Sequence, residues 1–234
     1  MEQTAGLEIN LFAQPLPSMK ELHALSRAVN SNESNRVKFA QQVEAERGKT
    51  SAEANLVVGI GLFMLGKHSE AVEKLHKAKD CLEKFTYLAY ALRRRKRYGE
   101  AVDCLQRAID FGAEPLNVNL EKAATYREGR DLDAAARELD ACKNFENVSA
   151  EYHYQLGRLQ ETLGEYDKAV QNYKTVLELA PDHHRALFHL AYRHDLSGYE
   201  STAIDYYKQA IACAPAYVSA LLNLAVLYED RGEF

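Results

Sequence analysis

The sequence predicts an all-α array of stacked helical hairpins. Three observations carry this. The segment from Ala150 to Pro181 matches the segment from His184 to Pro215 at a shift of 34 residues, and a self-match at such a period marks a helical repeat. Five prolines and twelve glycines in 234 residues leave long stretches free to be helical. Small residues then recur on the same beat through most of the chain, as close helix packing requires.

The chain in order begins with an extended arm, residues 1–17, held by Gly6, Pro15 and Pro17, with Leu11 and Phe12 as its anchors. Ser18 and Glu21 form a capping box, in which each side chain satisfies a free N–H of the first helical turn. That helix runs to about Val29 and presents Met19, Leu22, Leu25 and Val29. A second, about Glu33 to Arg47, is expected to bury Val37, Phe39, Ala40 and Val43 and to stop at Gly48. Neither helix fits the repeat, so residues 18–49 read as an N-terminal cap over the first hairpin.

Thr50, with Glu53, is expected to open the array, which occupies residues 50–234. The small residue of each first helix is Gly59, Ala89, Ala123, Gly157, Ala191 and Ala225; that of each second helix is Ala71, Ala101, Ala135, Ala169 and Ala203. The first step is 30 residues and the rest 34, which places a four-residue shortening near Asp80 to Glu83. A bulky side chain at these positions should cost roughly 1–3 kcal/mol by overpacking. Larger knobs keep the same register: Leu75, Leu105, Leu139, Tyr173 and Tyr207 on second helices, and Leu62, Leu92 and Tyr126 on first helices. Gly66, Gly164, Gly198 and Gly232 mark turns, while Lys96 and Arg130 stand where that glycine is expected. Pro181 and Pro215 lie just past helix ends. Five repeats follow, about 52–81, 82–115, 116–149, 150–183 and 184–217, and a half repeat, 218–234. The sixth hairpin has no second helix before Phe234, and the sequence is read as a fragment of a longer protein. The alternative is an end covered by a partner or by self-association through Leu221 to Tyr228.

Leu156-Gly157, Ala169, Tyr173 and Pro181 resemble the tetratricopeptide repeat (TPR) family; Gln160 and His194 stand where a tyrosine is usual, and there is no tryptophan. The resemblance implies a right-handed superhelix whose first helices line a concave, peptide-binding face. On it would lie Tyr87, Tyr90, Arg94, Arg127, Tyr154, Gln155, Arg158, Phe188, His189, Tyr192 and Asn223. Tyrosine and arginine are the residues that interface hot spots favour, although several of these tyrosines could instead pack between repeats. A groove so lined suits an extended segment with acidic and apolar side chains. The two-carboxylate clamp of chaperone-binding members is absent, because Phe188 and Tyr192 stand where partners of Asn223 would be needed. A second resemblance rests on LFAQPLPSMKELHALSRAVNSNES, GIGLFMLGKHSEAVEKLHKAKDC, AEYHYQLGRLQETLGEYDKAV and SALLNLAVLYEDRGEF. These stretches are similar to bacterial TPR proteins that continue into a domain like that of the RNA polymerase alpha subunit. That resemblance implies an alternative role as an accessory module in transcription, with the polymerase-like domain beyond Phe234.

A net charge of −5 argues against nucleic acid as the partner of this chain, and no apolar run is long enough for a membrane helix. The run Arg93, Arg94, Arg95, Lys96 and Arg97 either binds phosphate or an acidic partner or is a solvated helix end whose cations suit the macrodipole. His183, His184, His189 and His194 are spaced wrongly for a metal pair at i and i+4, the steps of five turning about 140°. No metal, no cofactor and no enzymatic activity is expected. Cys81, Cys104, Cys142 and Cys213 lack metal-like spacing and are read as buried, reduced thiols in the cytoplasm. The expected function is a protein-interaction scaffold.

Overall fold

A computed structural model describes residues 9–13, 15–215 and 217–232. Among these the chain is all-α, a succession of helical hairpins without a strand. It divides into two compact units, Met1–Glu121 and Lys122–Phe234, with the division inside one helix.

Unit 1 begins with α1 (Met19–Val29) and α2 (Glu33–Glu46). Ser18 and Glu21 form the reciprocal capping box at the start of α1. Leu22, Leu25 and Val29 of α1 and Phe39 and Val43 of α2 are buried. Val37 departs from the expectation and is 49% exposed, because the buried stripe of α2 runs through Asn35, Phe39 and Val43 at steps of four. Asn35 can be buried because its Nδ2 donates to the Ala28 carbonyl at 3.0 Å.

The next helix, α3 (Ala52–Met64), is buried on nearly every face. Its cap is Ser51 rather than Thr50: Ser51 Oγ accepts from Ala54 N–H at 3.1 Å. The Thr50 carbonyl instead accepts from Asn55 Nδ2. Two glycines let α3 approach different neighbours. A Cβ on Gly59 would lie 2.6 Å from Cγ of Leu75 in α4 (His68–His76), and one on Gly61 would lie 2.7 Å from Val43 of α2 and 3.3 Å from Leu11 of the arm. Leu11 is fully buried and Phe12 partly so.

Hairpin α5 (Leu82–Arg94) and α6 (Tyr98–Asp110) follows, then the first half of α7 (Pro115–Glu128). The four-residue shortening falls between Ala71 and Ala89: α4 has nine residues where α6 has thirteen, and against the equally short α8 the link to the next first helix is shorter, 77–81 compared with 141–149. Lys84 ties down the link after α4, with Nζ donating to the Ala78 carbonyl at 2.8 Å and to Asp80 at 2.7 Å.

Unit 2 holds the rest of α7, then α8 (Leu132–Asp140), a 3-10 turn (Lys143–Phe145), hairpins α9 (Ala150–Leu163) with α10 (Tyr166–Leu179) and α11 (His184–Leu196) with α12 (Glu200–Cys213), and α13 (Val218–Asp230). Asp131, Ser149 and His183 cap α8, α9 and α11 through their side chains. In the two units, Ala71, Ala101, Ala135, Ala169 and Ala203 are all fully buried. The first-to-second-helix turn is left-handed in every hairpin, at Gly66, Lys96, Arg130, Gly164 and Gly198; Lys96 and Arg130 adopt it with φ of 60° and 67° despite their side chains. Of the four cysteines, all free, only Cys142 is buried; Cys81 and Cys104 are half-buried and Cys213 is exposed, being the last residue of α12. No helix among the described residues is long and apolar enough to cross a membrane.

Candidate partner-binding cleft

The cleft is built from the close approach of α9 and α10. A Cβ on Gly157 would lie 2.7 Å from Cε1 of Tyr173, so only glycine admits the tyrosine ring here. Tyr173 is thereby fully buried, and the His189 ring of α11 stacks on it at 5.2 Å and 21°. His189 Nδ1 lies 3.1 Å from Glu161 Oε2, and the same carboxylate oxygen lies 3.4 Å from Arg158 Nε. Arg158 also donates from Nη1 to the Tyr154 hydroxyl at 3.2 Å. Burial holds His189 below its ordinary range, against the opposing pull of Glu161. Burial alone would raise Glu161, but contacts with His189, Tyr173 and Arg158 outweigh it and keep the carboxyl below its usual value.

Outside this buried layer Phe188 and Tyr192 stack at 7°, and the Arg193 guanidinium lies 3.7 Å from the Tyr166 ring centroid. Between them opens a cleft of about 400 Å³. Its floor is Arg158, Glu161, Phe188 and His189; its rim is Tyr166, Tyr192, Arg193 and Leu196. The rim is solvent-facing, with Tyr192 39%, Tyr166 46% and Leu196 59% exposed.

Four of the sequence-derived groove residues, Arg158, Phe188, His189 and Tyr192, meet in this cleft. The others do not. Tyr154 is 3% exposed and lies among Tyr173, His183 and His189, because it is one turn from Gly157 and faces the hairpin interior. Tyr87 is 2% exposed, edge-on to Phe63 of α3. Tyr90 is half-buried and its hydroxyl donates to Glu121 at 3.4 Å. Arg127 and Gln155 are buried. Arg94 is exposed at the end of α5, and Asn223 donates from Nδ2 to the Tyr207 hydroxyl at 3.0 Å. Tyr166, Arg193 and Leu196 escaped sequence reasoning. The last two follow from His189 and Tyr192 by one more step of four, whereas Tyr166 comes from the second helix of its hairpin, outside the first-helix face that the family resemblance implies.

The basic run of α5 is divided. Arg93 pairs with Glu121 at 2.7 Å and Arg97 with Glu100 at 2.5 Å, Lys96 forms the turn, and Arg94 and Arg95 face solvent. The four histidines also go separate ways: His183 Nδ1 caps Ala186 N–H, His184 meets Tyr217 edge-on, His189 sits on Tyr173, and His194 stacks on Tyr206. Among the described residues no group of three or more His, Cys, Asp or Glu side chains could hold a metal.

The profile of the tetratricopeptide repeat matches residues 150–183, the α9–α10 hairpin. The photosystem I assembly protein Ycf3 of Cyanophora paradoxa is 32% identical over 84 residues, covering 35% of this chain and 49% of that protein. Ycf3 of Chaetosphaeridium globosum is 36% identical over 84 residues, covering 35% and 50%. The chain thus spans about half the length of the curated relatives it matches. Among solved structures, a thermophilic TPR protein of Thermus thermophilus has a TM-score of 0.63 at 21% identity, covering 76% of this chain and 98% of that one. The Cut9–Hcn1 structure of the APC/C has a TM-score of 0.62 at 13% identity, covering 92% and 44%. The structural likenesses establish the fold. Residues 150–183 match the tetratricopeptide repeat, and the described residues of the chain share the all-α fold of stacked helical hairpins with these structures.

Proposed function

We propose that this chain is a non-catalytic protein-interaction scaffold, and that the unit 2 cleft holds a peptide or helical segment of its partner. The observation that carries the reading is the exposed aromatic rim over a charged floor: Tyr166, Tyr192 and Leu196 stand in solvent beside Arg158 and Arg193. Large, stiff aromatics next to arginine form the anchors from which protein interfaces draw most of their energy. Support also comes from the relatives that align with it, which are named for assembling a complex rather than for a reaction. The free cysteines, with Cys213 exposed, suit a reducing compartment such as the cytoplasm.

The test is to select binding peptides from a random display library and to measure them on the wild type and on the Tyr192→Ala/Leu196→Ala double variant. Both side chains are exposed, so the fold should survive their loss. The expected result is a tenfold or larger loss of affinity, about 1.4 kcal/mol or more. Equal affinity for the two proteins would remove the cleft as the binding site.

A further inference from the structure

Among the described residues five arginines lie over aromatic rings, and four of them also hold a carboxylate. Arg93, over Tyr90, pairs with Glu121 at 2.7 Å, and Arg107, over Phe85, pairs with Asp80 at 3.2 Å. Arg158 and Arg185, both over Tyr154, meet Glu161 at 3.4 Å and Glu151 at 2.8 Å. Arg193 is the exception. It sits nearest of the five to its ring, 3.7 Å from the Tyr166 centroid, yet among the described residues no carboxylate lies within ion-pair distance of it.

The stack fixes how this cation is presented. With Cζ at 3.7 Å, an edge-on guanidinium would bring a nitrogen to about 2.4 Å from the centroid, given a C–N bond of about 1.33 Å, and that is closer than packed atoms allow. The group therefore lies flat on Tyr166. Its N–H donors point sideways along the ring, and the ring shields one face from water. A planar fork held in this way matches the two oxygens of a carboxylate.

The fork is also reachable. Arg193 and Tyr166 both line the cleft, Arg193 half-buried and Tyr166 exposed. The charge there is unbalanced. The one carboxylate in the lining, Glu161, already meets Arg158 and His189, and burial keeps His189 neutral at pH 7, so Arg193 leaves the cleft net positive. Leu196 follows Arg193 by three residues and Tyr192 by four on α11, so an apolar surface adjoins the cation within one turn.

We infer that the partner segment carries an aspartate or glutamate whose carboxylate is gripped by Arg193 on the Tyr166 ring, close to a large apolar residue that packs on Tyr192 and Leu196. This rests on the cleft being the binding site, and it adds the chemical class of the segment.

The test uses the same random-peptide selection on the wild-type chain. Selected peptides are expected to share one acidic residue within about four positions of a large apolar one. Changing that acid to its amide and changing Arg193 to Gln should each weaken binding about tenfold, and the two losses together should not add. Arg193→Lys should fall between, since it keeps the charge without the fork. Tyr166→Phe should bind as the wild type does, because the ring remains. An arginine that merely braces α10 against α11 would, on change to Gln, weaken the acidic peptide and its amide form alike. If Arg193→Gln does not fold, Arg193→Lys measured on both peptides makes the same comparison. Peptides without a fixed acid, equal binding by Arg193→Gln, or equal weakening of the acidic and amide peptides would each overturn the inference. In those cases a loss of affinity in Tyr192→Ala/Leu196→Ala would leave the cleft standing. Failure to select any peptide, or an unaffected double variant, would remove the cleft and this inference together.

Discussion

In hairpin α3–α4 of unit 1, Gly59 receives the side chain of Leu75; in hairpin α9–α10 of unit 2, Gly157 receives the ring of Tyr173. The two approaches are nearly the same, 2.6 and 2.7 Å to a would-be Cβ. Both knobs are fully buried. Leu75 merges into the apolar core of unit 1 with Leu56, Ile60 and Leu62. Around Tyr173 the ring offers a second face, on which His189 stacks, and His189 brings Glu161 and Arg158 into contact with it. The same packing device closes a dry core in one unit and supports a charged cleft in the other. Geometry is set by the small residue; chemistry is set by what fills the space above it.

The comparison breaks most visibly at the glycines. Gly157→Val should destabilise by about 3 kcal/mol and Gly59→Val by about 2 kcal/mol, in urea unfolding, because a planar ring has fewer ways to yield than a leucine. A larger cost at Gly59 would show that the two approaches are not equivalent. The pH dependence comes next. His189 has a folded value depressed below the ordinary 6.5, so its contribution is complete above about pH 6.5 and is lost as pH falls through the folded value. The loss is at most about 1.4 kcal/mol for each unit of pH. Melting temperature should drop between pH 7 and 5.5, and His189→Phe should flatten part of that slope. Part of it will persist, because burial also lowers His23, His68 and His194.

The turns sharpen the comparison further. Lys96→Gly in unit 1 and Arg130→Gly in unit 2 should each stabilise by about 1 kcal/mol, by relieving a left-handed residue that carries a side chain. Gly164→Ala should cost a similar amount, since its added methyl group would touch nothing and only the backbone would be strained. The smallest expected effect is at Tyr87. Its hydroxyl is buried without a hydrogen bond, so Tyr87→Phe should be neutral or stabilising by up to about 1 kcal/mol.

Much of the fold was legible in the sequence because packing leaves a periodic mark. Gly157 with Tyr173, the fully buried alanines from Ala71 to Ala203, and the stops at Pro181 and Pro215 could all be read from the 34-residue beat. The turns at Lys96 and Arg130 kept their place in that beat although the residue type argued against a left-handed backbone. The cleft was only partly legible. Whether a first-helix tyrosine lines a groove or fills the hairpin depends on a rotation of about 100° per residue, and Tyr154 and Tyr192 fall on opposite sides of that choice. Tyr166 needed atoms from a neighbouring helix. Local details such as Ser51 replacing Thr50 as a cap, or Val37 turning outward, hinge on one residue of register.

The most direct test of the cleft is to cross-link a selected peptide, carrying a photoreactive benzophenone, to the protein and map the adducts by mass spectrometry. Adducts on Tyr166, Tyr192 and Leu196 are the predicted result. Adducts confined to the exposed apolar side chains of α13, Leu222 and Val226, or to unit 1, would contradict it.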